Sequence, residues 1–286
     1  MKSFLKVIAI VAAIVLLSAI LAPIIFPFLP YKFERVFNRL VMIGSLIAVV
    51  CFVRIRRETL ERLGLIWHGK QSLYFLIEAF VAGVVTLGVL SAVKIYLGQG
   101  VWAPQVFSAL SITLKVLELI ATGLLIGVIE EFFFRGFVFT SFRNNLGWGV
   151  VASVIVTNVF YSLLHFVSFE KPFIGPEPTF FDSLKLVAMP FAAILKLPSF
   201  WPAALGLFLF GVVLNLLLIN SKSLYPSIGL HAGCVFFIKL DGLFTNFSND
   251  SVLLLSSSKM YDGVLGWIFL LGMGGLLARG LKRRVA

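Results

Sequence analysis

Glu130-Glu131-Phe132-Phe133-Phe134-Arg135-Gly136 follows the largely apolar run 117–129 and sets three charges close together at membrane depth. A charge at the centre of a bilayer costs roughly 2.5–3.5 kcal/mol on insertion scales, so this cluster demands partners or a function. On a helix, Glu131 and Arg135 stand four apart on one face and can pair across a turn. Glu130 is rotated by about 100° from Glu131 and faces a different neighbour. The plainer alternative is a helix end at which the charges reach the membrane interface.

Composition places the whole chain in lipid. Of 286 residues, 60% are hydrophobic and only 13% charged, and the mean hydropathy is +1.04, too apolar for a soluble surface. The apolar runs are continuous rather than alternating, which argues against an outer-membrane barrel. The expected fold is therefore all-α: a polytopic transmembrane helical bundle of about eight spans. The net charge of +11 resides in basic residues at the ends of apolar runs. That is a topology signal facing lipid headgroups, and nucleic acid is not an expected partner. Cys51 and Cys234 both sit in apolar runs and read as small buried hydrophobes, not as a disulfide or a metal cluster.

The expected spans are 5–29, 37–53, 73–97, 111–134, 148–166, 201–219, 224–240 and 264–278. The polar segment 58–71 reads as a short interfacial helix or loop, and 184–197 as a re-entrant or interfacial helix after the proline-containing loop that starts at Ser168. Eight spans put both termini on one side. Lys2, Lys6, Arg54 to Arg62, Arg135, Arg143, Lys222 and the tail gather there, which makes that side the cytoplasm, although Lys32, Arg35, Arg39, Lys94 and Lys171 dissent. No internal repeat is visible.

Three histidines are present. His68, beside Trp67 and Lys70, reads as interfacial. His165 lies inside span five, two turns beyond Asn158. Glu130 and His165 are each about 17 residues from the turn at 143–147, so both stand roughly 25 Å from it and at matching depth. His231 lies in span seven among Ser227, Gly229, Ala232 and Gly233, small residues that let another helix approach. A single intramembrane histidine usually bonds a carbonyl. Two of them with a glutamate pair are by default a functional site. Glu plus His suffices for general-base activation of water and is also a sparse zinc set. No Gly-x-Ser-x-Gly elbow surrounds Ser153 or Ser162.

Glu130-Glu131-x-x-x-Arg135, Tyr161-x-x-x-His165 and Gly229-x-His231, in that order on separate spans, resemble the CPBP family. That family comprises CAAX prenyl endopeptidases of the Rce1 type and bacterial Abi-type relatives linked to bacteriocin processing and self-immunity. The resemblance covers about 114–240. It implies a membrane-embedded peptidase of eight helices with a cavity open to the cytoplasm, in a bacterial inner (plasma) membrane. Carried onto this sequence, Glu130 is the base that polarises a water with help from His165. His231 stabilises the oxyanion, and Glu131 pairs with Arg135 to hold the helix. The implied chemistry needs no cofactor, with zinc as the alternative, and the implied partners are a membrane-anchored protein or peptide substrate and the lipid bilayer. The expected organisation is 1–107, spans one to three with the cytoplasmic interfacial segment; 108–240, the CPBP-like catalytic core; and 241–286, the last span and basic tail.

Two positions depart from the family pattern. Tyr161 stands where Phe is usual, and Val235 stands where the prenyl proteases carry Asn. Val235 donates no hydrogen bond, so Asn158 and Asn215 are the expected replacement donors. A non-catalytic immunity or scaffolding protein is the main rival reading. A proton-coupled transporter is disfavoured because the second half of the chain has no counterpart of the glutamate pair.

Overall fold

The computed structural model describes residues 2–55, 61, 63–65, 67–165, 174–194, 197–248 and 252–285. The chain is an all-α bundle. Its helices are α1 (Lys2–Ile25), α2 (Phe33–Ile55), α3 (Lys70–Tyr96), α4 (Ala109–Glu131), α5 (Val150–His165), α6 (Phe180–Ile194), α7 (Leu197–Ser221), α8 (Tyr225–Asp241), the short α9 (Val252–Leu255) and α10 (Val264–Val285). Each expected span is matched by a helix. Among the described residues, five segments are long and apolar enough to cross a membrane by length and composition: Ala9–Phe28, Lys70–Tyr96, Ala109–Asn144, Phe200–Ser221 and Val264–Arg284.

α8 is the spine. Almost every side chain from Pro226 to Phe236 is buried, and the helix lies between α3 and α4. Small residues make this possible, because in lipid close backbone approach and packing take the place of the hydrophobic effect. A Cβ on Gly229 or Gly233 would lie 2.1 Å from the Leu76 carbonyl oxygen or 2.2 Å from that of Phe80. Across the other face, a Cβ on Gly123 would meet the Ala232 carbonyl oxygen at 2.6 Å. The two contacts with α3 also fix the register in which α8 runs beside it.

α4 does not stop at Glu131. It widens into π-helical turns over Phe132–Phe139 and Ser141–Asn145, a geometry that recurs at functional sites. Thr140 returns its hydroxyl to the Gly136 carbonyl. The hairpin into α5 therefore turns at 146–149, close to where the sequence places it.

Three features add to what the sequence leads one to expect. Of the segment read as interfacial, 56–60, 62 and 66 lie outside the described residues. Of its remainder, 63–65 is tucked in whereas 61 and 67–71 are exposed: Leu63 is buried, the Leu224 amide donates to the Gly64 carbonyl at 2.8 Å, and the Tyr225 hydroxyl donates to that of Leu65 at 3.0 Å. It thus caps the start of α8. The connections after α3 and α8 pair as two short antiparallel strands, β1 (Gly100–Trp102) and β2 (Thr245–Phe247), too short for any alternation to show in the sequence. Residues 166–173 and 195–196 of the expected loop and re-entrant region lie outside the described residues, whereas α6 docks on α1 through Ser183 Oγ, which donates to the Ala19 carbonyl at 3.0 Å. Its start is fixed by Asp182. That carboxylate accepts from Lys185 and from the amide and hydroxyl of Thr179, which hold it low, at about 2.

Because α3 and α8 touch backbone to backbone, Gly233→Ala is expected to lower stability by about 1–3 kcal/mol, read as the thermal unfolding midpoint in detergent. Gly272, with no atom within 4 Å of its Cβ position, is the control: Gly272→Ala should change stability by less than about 0.5 kcal/mol. A larger loss at Gly272 than at Gly233 contradicts this packing.

Candidate active site

The two adjacent glutamates have different environments. Glu131 is fully buried, and its Oε1 accepts from Arg135 Nη1 at 3.1 Å and from His231 Nδ1 at 2.8 Å. Arg135, also fully buried, extends its second amino group between α5 and α7. There Nη2 donates to Asn158 Oδ1 and to the Gly211 carbonyl, each at 3.2 Å, and the guanidinium lies 4.4 Å from the Tyr161 ring centroid. Gly211 has no side chain because none fits: a Cβ there would lie 2.2 Å from Asn158 Oδ1. One guanidinium thus ties three helices together, using its planar fork in a way an ammonium cannot.

Glu130, with 28% of its side chain exposed, has no arginine against it. Its Oε2 lies 3.3 Å from His165 Nε2 and 3.8 Å from His231 Nε2. The His165 contact is a close approach and not an aligned hydrogen bond, because that same oxygen makes no hydrogen bond. It remains able to take one more donor.

The acceptors fix the imidazole protons. His165 Nδ1 faces the Tyr161 carbonyl at 2.9 Å, an oxygen that only accepts, so Nδ1 carries hydrogen and Nε2 is presented to Glu130. His231 Nδ1 faces the Glu131 carboxylate, which leaves its Nε2 for Glu130 and the interior. Glu131 therefore does more than pair with Arg135. It orients the second histidine.

Beside the histidines lies a cavity of about 130 Å³. Tyr161, His165, His231 and Val235 line it together with Met260 and Tyr261 from the loop before α10. Along α8 the lining runs from His231 to Ile238, away from the start of the helix and from the 63–65 segment that covers it.

All five expected site residues, Glu130, Glu131, Arg135, His165 and His231, converge. His68 lies apart, where its amide donates to Ser72 Oγ. The expected replacement donors are corrected. Asn158 Nδ2 donates to the Val154 carbonyl at 2.8 Å and to Asn215 Oδ1 at 3.0 Å, so its amide is spent on structure. Neither asparagine lines the cavity. Tyr161 does, against His165 with a centroid separation of 4.4 Å. In the sequence Tyr161 shows only as a change of aromatic residue, and the 256–263 loop gives no signal at all. The groups a zinc ion would need are Glu130 Oε2 and Nε2 of the two histidines. Among the described residues, no set of three His, Cys, Asp or Glu side chains is grouped to hold a metal ion.

Arg135→Met leaves the Glu131 charge buried without its partner, which is expected to cost about 3–5 kcal/mol of stability in detergent unfolding. Arg135→Lys should recover less than half of that, since one ammonium cannot reach Glu131, Asn158 and Gly211 together. Recovery to wild type by Lys contradicts the bridging role.

No curated protein and no solved structure matches the chain. One protein family does. Residues 112–237, the stretch that supplies Glu130, Glu131, Arg135, His165 and His231, match the family described as Type II CAAX prenyl endopeptidase Rce1-like.

Proposed function

We propose that the protein is an intramembrane endopeptidase of the glutamate type, acting on membrane-anchored or lipidated proteins or peptides. The observation that carries this reading is the separation of the glutamate pair. Glu131 is committed to Arg135 and His231, while Glu130 has no arginine and stands against two histidines that border a cavity.

Glu130 takes a proton from a water molecule, and the water oxygen attacks the peptide carbonyl carbon. His165, fixed by the Tyr161 carbonyl, shares that proton with Glu130 and returns it to the departing amine as the C–N bond breaks. The negative charge that develops on the carbonyl oxygen is met by His231 Nε2–H. Because Nδ1–H is already given to Glu131, this donation requires the imidazolium form. Stabilising that oxyanion is usually the largest single catalytic contribution. Val235 supplies no second donor. Tyr161 lines the same cavity and carries a hydroxyl, and we assign it that role.

The site lies in a bundle with helices long enough to span, which favours substrates cleaved close to the point where they meet the membrane. We place both termini in the cytoplasm of a bacterial inner membrane, following the charge bias. Val235 in the cavity wall favours one rival, a non-catalytic immunity or scaffolding protein that keeps the cluster for stability.

The deciding experiment is cleavage of membrane-anchored peptides in liposomes, with and without a strong chelator. Activity lost in Glu130→Ala, His165→Ala and His231→Ala, and retained under chelation, supports the glutamate protease. Loss on chelation moves the reading to a zinc enzyme. A cellular phenotype of the wild type that persists in all three variants supports the non-catalytic rival. Tyr161→Phe is expected to lower kcat by about 10²-fold with the unfolding midpoint retained, and an unchanged kcat removes the hydroxyl from the mechanism.

A further inference from the structure

The cavity has a wall that lies outside the family-matched segment. Residues 256–263, between α9 and α10, reach into the bundle, and Lys259, Met260 and Tyr261 face the same space as His165 and His231. This loop is held far more firmly than a connection requires. Lys94, fully buried near the end of α3, donates from Nζ to the Ser257 carbonyl at 2.7 Å. Asp241 and Asp262 act on its charge from nearby, and with the Ser257 bond this lysine serves as a structural anchor. Asp262 accepts the Ser257 amide at 2.7 Å, and Trp267 Nε1 donates to the Tyr261 carbonyl at 2.9 Å. Two glycines let the loop in. A Cβ on Gly206 would lie 1.6 Å from the Tyr261 carbonyl oxygen, and one on Gly266 would lie 2.3 Å from that of Met260.

The backbone pays for this placement with strain at two non-glycine residues. Ser256 and Met260 have φ of 70° and 65°, and both are almost completely buried. A β-carbon disfavours that region, and such residues persist only where their surroundings over-determine them. Met260 therefore does not choose its own conformation. The anchors on either side press it into the cavity wall. Along α8, His231 and Ile238 both line the cavity, seven residues apart, which is about 10 Å. That is the span of roughly three extended peptide residues.

We infer that the 256–263 loop is the substrate-selecting wall of this site, and that Met260 sets how large an apolar side chain is admitted within about three residues of the scissile bond. The inference rests on the protease reading given above. The substrate class it names is a peptide with a small or medium apolar side chain there. Methionine suits the position because its flexible thioether fills irregular gaps.

The test uses full-length protein in liposomes and anchored peptides that differ only in that side chain, as Ala, Leu, Phe or Trp. Met260→Ala is expected to raise the Trp-to-Ala ratio of kcat/KM by about tenfold or more, and Met260→Phe to lower the Leu-to-Ala ratio by a similar factor. Ratios that stay within about twofold in both variants, with cleavage retained, overturn the inference. A second readout needs no catalysis: a peptide with a diazirine at that position, photolysed on Glu130→Gln protein. Adducts on residues 259–261 support the inference, and adducts confined to other elements overturn it. Should the wild type cleave no peptide, the protease reading fails, and the crosslink alone decides whether this wall contacts peptide.

Discussion

A guanidinium buried in the middle of an apolar bundle is the constraint on which the remaining geometry depends. Arg135 cannot be deprotonated, so its charge has to be met wherever the fold puts it. It is met by one carboxylate, one amide oxygen and one backbone carbonyl, on α4, α5 and α7. That distribution fixes the relative positions of the three helices and requires the absence of a side chain at Gly211. It also makes the glutamate pair unequal. The carboxylate that faces Arg135 becomes a neutralised structural group, and its neighbour, turned by one residue, is left with imidazoles.

The second determinant is the packing of α8. In lipid no hydrophobic force gathers helices, so close contact depends on residues small enough to allow it. Gly229, Ala232 and Gly233 flank His231 for that reason and bring it within 2.8 Å of Glu131. Packing and chemistry share one short segment. The same helix then continues as a wall of the cavity through Val235 and Ile238, so the depth at which His231 sits also sets the reach of the space beyond it.

Much of the site was legible in the sequence, and the reason is geometric. The Glu131–Arg135 pair follows from a separation of four on a helix. The depth match of Glu130 and His165 follows from equal distances to one hairpin turn. Both are local, and the π-helical widening after Glu131 did not undo either. The pairing of His231 with Glu131 bridges 100 residues, and nothing local specifies which carboxylate that ring meets. Asn158 lies on the right face to be a donor, but a face does not reveal that Val154, Asn215 and Arg135 already use its amide. The β1–β2 pairing and the loop around Met260 were invisible for a related reason: short irregular segments carry no periodicity, and their positions are set by Lys94, Gly206 and Gly266 from elsewhere in the chain.

The unequal roles of the glutamate pair can be separated by removing one charge at a time while keeping shape. Single-turnover cleavage of an anchored peptide and thermal unfolding would be measured side by side on Glu130→Gln and Glu131→Gln. The account predicts that Glu130→Gln abolishes cleavage while the unfolding midpoint stays near wild type, and that Glu131→Gln lowers the midpoint because Arg135 and His231 lose their shared carboxylate. Retained cleavage in Glu130→Gln, or a stability loss larger there than in Glu131→Gln, would contradict it.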